Sequence, residues 1–499
     1  MHRFGFDNTY ARDLPSAYVA WKPAEVREPR LLFKNLELAE ELGLPTAAVS
    51  GPDAAALFAG NLLAEDAQPI AQAYAGHQFG QFSPQLGDGR ALLLGEVVDR
   101  VGRRRDIAFK GSGRTPFSRG GDGKAAVGPM LREVLIGEAM HALGIPTTRA
   151  LAVAATGEPV RRDTPLPGAV LTRVAASHLR VGTFQFFAAR GDLDTLRQLL
   201  DYTIARHDPE LAAAPDREMA LLRAVTARQA RLIAQWMNVG FIHGVMNTDN
   251  MALSGETIDY GPCAFMEAYD PATVFSSIDH AGRYAYANQP GIARWNLARF
   301  AEALLPLTAS EDDEPAVIEA AVAAATAVID DFPTLLAAEL LAGQRAKLGL
   351  LHATPGDDDA DTQLVADWLS LLHTQAVDFT LAWRHLAGVA EGNAEPLRDL
   401  FMDRAALDAW LARWAERCTR DGGNATERAA HMRRASPAII PRNHLVEEAL
   451  IAATEGDLAP FNALLNALRN PWDEAALATR FAVPAPAEVT ASFRTFCGT

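Results

Sequence analysis

Hydrophobic residues cluster into short runs between residues 91 and 177, and the lengths of these runs predict β-strands. One run reads ALLLGEVV and the next reads DIAFK, with the polar segment DRVGRRR between them. Two apolar runs that flank a glycine-containing polar turn are typical of a β-hairpin. Two later runs, TTRALAVAA and GAVLTRVAAS, predict two further strands. The four strands would form a small sheet that ends near residue 176.

Outside this region the apolar residues follow the spacing of helices. A short amphipathic helix is predicted at 36–42, and a second helix at 129–143 is ended by Gly144. From residue 177 onward the pattern is helical almost throughout, and it includes a helix at about 217–238.

These patterns predict an α+β fold in three parts. Residues 1–84 form an N-terminal extension that packs on the next part, and residues 85–176 form a small lobe that contains the sheet. Residues 177–499 form a large helical lobe with a C-terminal helical extension. A chain of 499 residues provides ample buried core for such an arrangement.

Charge and composition narrow the expected partners and compartment. The net charge of −16 argues against a surface that binds nucleic acid. The sequence shows no secretory signal and no apolar run of about 18 residues, so we expect no membrane partner. Three cysteines in so long a chain indicate no disulfide scaffold and favour a reducing cytoplasm. A monomer is the default expectation.

The segment GFIHGVMNTDNMALSGETIDYGPCAF has the layout of a phosphotransfer catalytic loop. In kinases a His is followed by an Asp two residues later, an Asn seven residues later, and a metal-binding Asp-Phe-Gly. His243 and Asn250 keep that spacing, and Asp259 begins the tripeptide Asp-Tyr-Gly. Val245 occupies the place of the catalytic Asp, while a second carboxylate, Asp249, precedes Asn250. Oxygen ligands for Mg²⁺ or Mn²⁺ are therefore present and the usual base is missing. In this loop type the His mostly supports the backbone.

A lysine and a glutamate precede this loop in the order found in kinases. Lys110 ends the predicted strand DIAFK, and Glu133 lies one turn into the predicted helix that follows. A lysine on a buried strand needs a partner, and a carboxylate on a helix supplies one. By themselves the two residues indicate a structural ion pair, but together with the catalytic-type loop they favour phosphate binding.

Two glycine loops and two arginines are further candidates for phosphate binding. The loops GDGR, at 87–90, and GGDGK, at 120–124, offer backbone N–H groups that suit phosphate oxygens. Lys124 is not followed by Ser or Thr, which excludes a Walker A loop. For Arg173 and Arg180 the sequence leaves two interpretations open, a core ion pair or a bidentate grip on phosphate.

These motifs occur in one order over about the first 270 residues, and they resemble the selenoprotein O family. The resemblance is carried by GDGR, IAFKGSGRTPFSRGGDGKAA, LTRVAASHLRVGTFQ, HGVMNTDNM and DYGPCAF. It implies a protein-kinase-like bilobal fold and an enzyme that transfers AMP from ATP to Ser, Thr or Tyr hydroxyls of proteins. It further implies that ATP binds reversed relative to kinases, with its γ-phosphate buried, and that pyrophosphate is released.

The resemblance also assigns roles to individual residues of this chain. It implies that Asp249 is the base and that Asn250 and Asp259 hold Mg²⁺ or Mn²⁺. The positions implied to bind ATP are Gly87, Gly89, Arg90, Lys110, Asp122, Gly123, Arg173, Arg180 and Asp259. Some members of the family carry selenocysteine near the C-terminus, so Cys263 and Cys497 could form a regulatory disulfide. Two unrelated thiols are the alternative.

Three functions remain as hypotheses at the level of the sequence. The leading one is a protein adenylyltransferase, and the alternatives are an atypical kinase that transfers the γ-phosphate and a non-catalytic nucleotide-binding scaffold. Val245 argues against the kinase, because an aliphatic side chain fills the position of the usual base. Lys110, Glu133, Asn250 and Asp259 together argue against the scaffold, since mere binding needs no metal site.

Overall fold

The structure, a computed structural model, describes residues 2–310 and 312–496. Its strands are β1 Tyr18–Ala20, β2 Arg30–Lys34, β3 Ile70–Gln72, β4 Gly76–Gln78, β5 Gln81–Ser83, β6 Ala91–Val98, β7 Arg104–Lys110, β8 Ala125–Ala126, β9 Arg149–Arg161, β10 Pro165–Ala175, β11 Phe241–Ile242 and β12 Ala264–Phe265. Its α-helices are α1 Thr9–Asp13, α2 Leu36–Glu41, α3 Thr46–Ser50, α4 Ala54–Ala59, α5 Val127–Ala142, α6 Val181–Ala188, α7 Leu193–His207, α8 Arg217–Val239, α9 Gln289–Thr308, α10 Pro315–Leu348, α11 Asp358–Thr374, α12 Phe379–Ala390, α13 Glu395–Arg398, α14 Arg404–Asp421, α15 Ala425–Ala435, α16 Asn443–Thr454, α17 Ala459–Leu468 and α18 Ala487–Ser492. This is the mixed helix-and-strand composition that the patterns predict.

One antiparallel sheet of eight strands forms the first part of the molecule. Its order is β1-β3-β6-β7-β10-β9-β2, and β8 pairs with β10. The predicted hairpin is β6 and β7, and the two later predicted strands are β9 and β10. One expectation needs correction, because the first 84 residues do more than pack on this sheet. They contribute β1, β2 and β3 to it, through pairs with β6 and β9.

The sheet is covered on both faces, and this arrangement orients the residues of the site. Ile107 and Phe109 pack with the cluster that contains α2, α3 and α4, whereas Ala108 belongs to the core shared with α5. Neighbouring side chains of a strand point to opposite faces, so Lys110 lies on the same face as Ala108. Arg173 of β10 is paired with Ala108 and shares that face. The sheet therefore presents both basic residues on its α5 side.

Helices form nearly all of the second part, as predicted from residue 177 onward. Helices α16 and α17 pack against α5 and so connect the C-terminal part to the sheet. A second core surrounds Trp368, Trp383 and Trp410. Within the described residues, α10 is the one helix whose length and apolar composition would suffice to cross a membrane, and 28% of its most apolar stretch is buried.

Candidate active site

A polar cleft lies between the sheet and the catalytic-type loop, and it encloses about 320 Å³. The predicted nucleotide, metal and base residues all line this one cleft: Gly87, Gly89, Arg90, Lys110, Asp122, Gly123, Arg173, Arg180, Asp249, Asn250 and Asp259. Basic side chains outnumber acidic ones along its wall, because Arg119, Lys124 and Arg162 line it as well. A concave surface with an excess of positive charge attracts polyanions.

Lys110, the last residue of β7, contacts two carboxylates at the centre of the cleft. Its Nζ donates to Oε1 of Glu133 on α5 and to Oδ1 of Asp259, and the lysine is only 6% exposed. Burial acts to raise the pKa of Asp259, but the charges of Lys110 and Arg90 hold that pKa well below its usual range. Asp259 is therefore ionised at neutral pH and is available as an anionic ligand.

The GDGR loop packs against Thr115 and Phe117, which lie shortly before the GGDGK loop in the chain. Gly87 has a φ of +67°, and a Cβ atom there would lie 2.3 Å from the ring of Phe117. A Cβ atom on Gly89 would lie 2.9 Å from the carbonyl oxygen of Phe117. The Thr115 hydroxyl donates to the carbonyl of Asp88 at 2.6 Å. Residues of both loops that are predicted to bind phosphate line the same cleft.

Gly123 allows a direct test of whether the GGDGK loop shapes the cleft. At this position the loop requires both a left-handed backbone conformation and the absence of a side chain. The φ of Gly123 is +68°, and a Cβ atom would lie 2.1 Å from the carbonyl oxygen of Gly113. Gly120 of the same loop has a φ of +87° but open space around its Cβ position. Each alanine substitution carries the left-handed cost of about 1–2 kcal/mol.

We therefore expect Gly123→Ala to weaken ATP binding about tenfold or more, since only this variant must also move the loop backbone. Gly120→Ala is the matched control and should change ATP affinity much less. Titration of both variants with ATP in the presence of Mg²⁺ measures the difference. Equal effects at the two positions would mean that the loop does not shape the nucleotide site.

Asp249 lies on a 3₁₀ turn, Thr248–Asn250, at the floor of the cleft. Its Oδ2 accepts a hydrogen bond from the side-chain amide of Gln78 at 3.4 Å, and its buried Oδ1 has no partner among the described residues. Burial raises the pKa of Asp249 to about 6, against the opposing charge of Arg180. A buried carboxylate with a pKa near neutrality suits a general base.

The β4–β5 hairpin holds this turn in place. The backbone N–H of His77 donates to the Thr248 hydroxyl at 2.7 Å, and that of Phe79 donates to the Asn247 side chain at 3.1 Å. The sequence did not single out Gln78, because it belongs to the first 84 residues, in which no motif was visible.

Asn250 and Asp259 fit a hard metal ion only together with ligands from a substrate. The Asn250 side-chain amide donates to the carbonyl of Val245 at 3.0 Å, so its amide oxygen remains available as a ligand. Among the described residues no group of three or more His, Cys, Asp or Glu side chains could hold a metal. Mg²⁺ commonly binds one or two carboxylates and completes its shell with phosphates and water.

His243 supports the loop backbone, as predicted. It is buried and stacks on Trp236 at a centroid distance of 5.3 Å. Nδ1 accepts the backbone N–H of Val245 at 3.3 Å, which places the ring proton on Nε2, 3.0 Å from the carbonyl oxygen of Ile258. Both ring nitrogens are therefore used for structure.

Arg173 and Arg180 form no ion pair with any carboxylate that the structure describes, which argues against the interpretation as core ion pairs. Arg173 donates from Nε to Nε2 of His178 at 3.2 Å. Arg180 donates to the backbone carbonyl of Asp249 at 3.3 Å, and its guanidinium lies 4.2 Å from the ring centroid of Tyr74. Both side chains keep unused donors in the cleft.

Arg162 is a further basic residue of the cleft that sequence reasoning missed. Its guanidinium donates to Asp122 at 2.9 Å, and Asp122 also accepts the backbone N–H of Lys124 at 2.9 Å. The arginine lies in a polar turn between two strands, and no motif marks it.

Of the two predicted redox cysteines, Cys497 lies outside the described residues. Cys263 is buried, and burial raises the pKa of its thiol to about 11. The Thr495 hydroxyl donates to the carbonyl of Pro262 at 2.7 Å. The described end of the chain therefore contacts the residue next to Cys263.

The site contains a lysine–glutamate pair, an Asn and an Asp suited to bind a metal ion, and a separate buried carboxylate. This combination is typical of enzymes that act on nucleotide phosphates. Comparison with known proteins agrees with this class. The sequence model of the family described as "Protein adenylyltransferase SelO" matches residues 3–469. The chain belongs to the SelO family, and it is a nucleotidyltransferase.

Close relatives carry a related description over their full length. The chain is 61% identical over 487 residues to the "Protein nucleotidyltransferase YdiU" of Chromobacterium violaceum, which covers 97% of this chain and 100% of that protein. The protein of that name from Cereibacter sphaeroides strain KD131 is 59% identical over 497 residues, with 99% and 100% coverage. The one from Mycobacterium sp. strain KMS is 56% identical over 499 residues and covers 100% of both chains.

Proposed function

We propose that this protein transfers AMP from ATP to Ser, Thr or Tyr hydroxyls of other proteins and releases pyrophosphate. The observation that carries the proposal is the position of the buried carboxylate. Asp249 faces the cleft with a pKa raised to about 6 by burial, whereas buried Val245 stands where a kinase has its base. A base in a different place favours a different phosphorus atom as the target of attack.

The charge distribution supports a reversed nucleotide within a protein-kinase-like bilobal fold. Arg162, Arg173 and Arg180 line the cleft in addition to Lys110, and this is more cationic capacity than a solvent-facing γ-phosphate needs. Guanidinium groups bind phosphate oxygens in a bidentate manner. We propose that they hold the β- and γ-phosphates inside, which directs the α-phosphate towards the acceptor.

In this mechanism the side chains of the chain orient the substrates and move one proton. The acceptor hydroxyl loses its proton to Asp249 while its oxygen forms a bond to the α-phosphorus. The bond from the α-phosphorus to the oxygen that bridges to the β-phosphate breaks, and pyrophosphate leaves with the negative charge. Lys110 and the arginines stabilise that charge. Mg²⁺ or Mn²⁺, held by Asn250, Asp259 and phosphate oxygens, would neutralise it further when bound.

Mass spectrometry of acceptor proteins incubated with the enzyme, ATP and Mg²⁺ or Mn²⁺ tests this proposal. We expect Ser, Thr or Tyr residues whose mass has increased by that of an AMP group. An increase by a phosphate group alone would contradict the proposal and indicate a kinase.

We also propose that Cys263 and Cys497 form a disulfide that regulates access to the site. The contact of Thr495 with Pro262 supports this, because it brings the chain close to Cys263 two residues before Cys497. Cys497→Ser should remove the difference in AMP transfer between oxidising and reducing conditions. Cys418→Ser, which changes a cysteine of another region, is the matched control. An unchanged redox response in Cys497→Ser would contradict the disulfide.

A further inference from the structure

We propose that His178 is a positioning residue that holds Arg173 and Arg180 ready for the phosphates of the nucleotide. The inference rests on the proposed use of the cleft for ATP. His178 follows the end of β10, precedes α6, and is only 3% exposed. It does not line the cleft itself, but it contacts both arginines that do.

The hydrogen bonds of the ring fix its tautomer. Arg173 Nε lies 3.2 Å from His178 Nε2, and an arginine can only donate, so Nε2 must accept. The ring proton is then on Nδ1, which donates to Asp106 Oδ2 at 3.0 Å. Burial lowers the pKa of His178, which favours this neutral ring. The histidine ring therefore connects Asp106 to Arg173 through two hydrogen bonds and fixes the orientation of the arginine.

Asp106 is a firm anchor for this chain of contacts. Its Oδ2 also accepts the backbone N–H of His178 at 2.8 Å, and its Oδ1 accepts from Arg206 of α7 at 2.5 Å. Burial acts to raise the pKa of Asp106, but Arg206 and the bonds from His178 lower it to about 2. The carboxylate stays ionised, and it joins β7, α7 and the histidine.

The two arginines are held in the same manner. Each arginine donates from its own Nε to His178. Arg173 donates to the imidazole ring, and Arg180 donates to the backbone carbonyl at 3.1 Å. Arg180 Nη2 is buried and has no partner among the described residues. No described residue accepts a hydrogen bond from the terminal nitrogens of Arg173. A guanidinium fixed through Nε directs its outer nitrogens to a single place, which suits a phosphate group.

A purely structural role of His178 and a positioning role predict different effects of substitution on ATP binding. Loss of a merely structural residue lowers stability, and any effect that it has on ATP binding is the same whether or not Arg173 is present. Loss of a positioning residue weakens ATP binding only while Arg173 is there to be positioned, so the two substitutions are not additive.

The experiment measures Kd for ATP with Mg²⁺ by direct titration, together with thermal unfolding, for the full-length protein and its variants. His178→Leu removes both hydrogen-bonding nitrogens. His178→Gln keeps an acceptor for Arg173 and a donor for Asp106. Arg173→Ala and the double variant His178→Leu/Arg173→Ala complete a double-mutant cycle. His207→Leu is the matched control, because His207 lies nearby, bonds Ser177 at 2.7 Å, and contacts neither arginine.

We expect His178→Leu to raise Kd about 10- to 100-fold, the value of a charge-assisted hydrogen-bond contact. His178→Gln should bind ATP within about threefold of the wild type, and His178→Leu should add less than about twofold to the effect of Arg173→Ala. His207→Leu should lower the unfolding temperature and leave Kd unchanged.

Full additivity in the cycle, or unchanged affinity in His178→Leu, would overturn the positioning role. If His178→Leu does not fold, His178→Gln decides, because a tenfold loss of affinity in that variant contradicts the proposed acceptor role. A wild-type protein that does not bind ATP would instead overturn the proposed function, and the inference with it.

Discussion

Asp259→Asn is expected to lower kcat/KM for AMP transfer by about 10³-fold or more and to remove its dependence on Mg²⁺ or Mn²⁺. The substitution keeps the size of the side chain but removes the charge. Asp259 accepts from Lys110, and its pKa is held far below the usual range, which is why we propose it as the anionic ligand of the metal. The rate is measured over a range of metal concentrations for variant and wild type.

Glu133→Gln is the matched control for this substitution. Glu133 contacts the same lysine but does not line the nucleotide cleft, so its loss should weaken ATP binding while the remaining activity still responds to the metal. If Asp259→Asn retained metal-dependent activity within about tenfold of the wild type, the metal assignment would be wrong.

Asp249→Asn is expected to lower kcat about 10²- to 10⁴-fold and to leave Kd for ATP nearly unchanged. The amide has the shape of the carboxylate but cannot take a proton from the acceptor hydroxyl. Single-turnover kinetics and ATP titration separate the two effects. Gln78→Leu removes the hydrogen bond to Asp249 and serves as a graded comparison, with a smaller fall in kcat. Full activity in Asp249→Asn would exclude this residue as the base.

The raised pKa of Asp249 predicts how both kcat and folding stability change with pH. A base must be ionised, and burial raises the pKa of Asp249 to about 6, so kcat should fall as pH drops through about 6. The residual rate of Asp249→Asn should lack this decline. Because the folded-state pKa is raised, ionisation of Asp249 costs folding stability, and this cost grows between about pH 4 and pH 6 and is complete above pH 6. Asp249→Asn should therefore raise the unfolding temperature at pH 8 relative to the wild type, and this gain should disappear near pH 4.

Long elements with a regular pattern could be predicted from the sequence. β6, β7 and α5 are each at least seven residues long and contain apolar runs, and these elements bring Lys110 into contact with Glu133. β1 and β3 have three residues each, which is too short for a period to be visible. The incorporation of the first 84 residues into the sheet depends on tertiary pairing, and local propensity does not reveal it.

The supporting residues of the site could not be predicted, because their contacts span long distances along the chain. Gln78 reaches Asp249 across 171 positions, and Arg162 reaches Asp122 across 40. A motif records the residues that contact a substrate. It does not record the side chains that hold them, which can come from any element that the fold brings near.

The most direct test of the account uses ATP labelled at the α-phosphate in one reaction and at the γ-phosphate in another. Each is incubated with the enzyme, Mg²⁺ or Mn²⁺, and a mixture of candidate acceptor proteins, with Asp249→Asn and Asp259→Asn as controls. The account predicts label on protein from the α-position only, and far less label from either variant than from the wild type. Label from the γ-position only would contradict it, since that result requires a kinase with its nucleotide in the ordinary orientation.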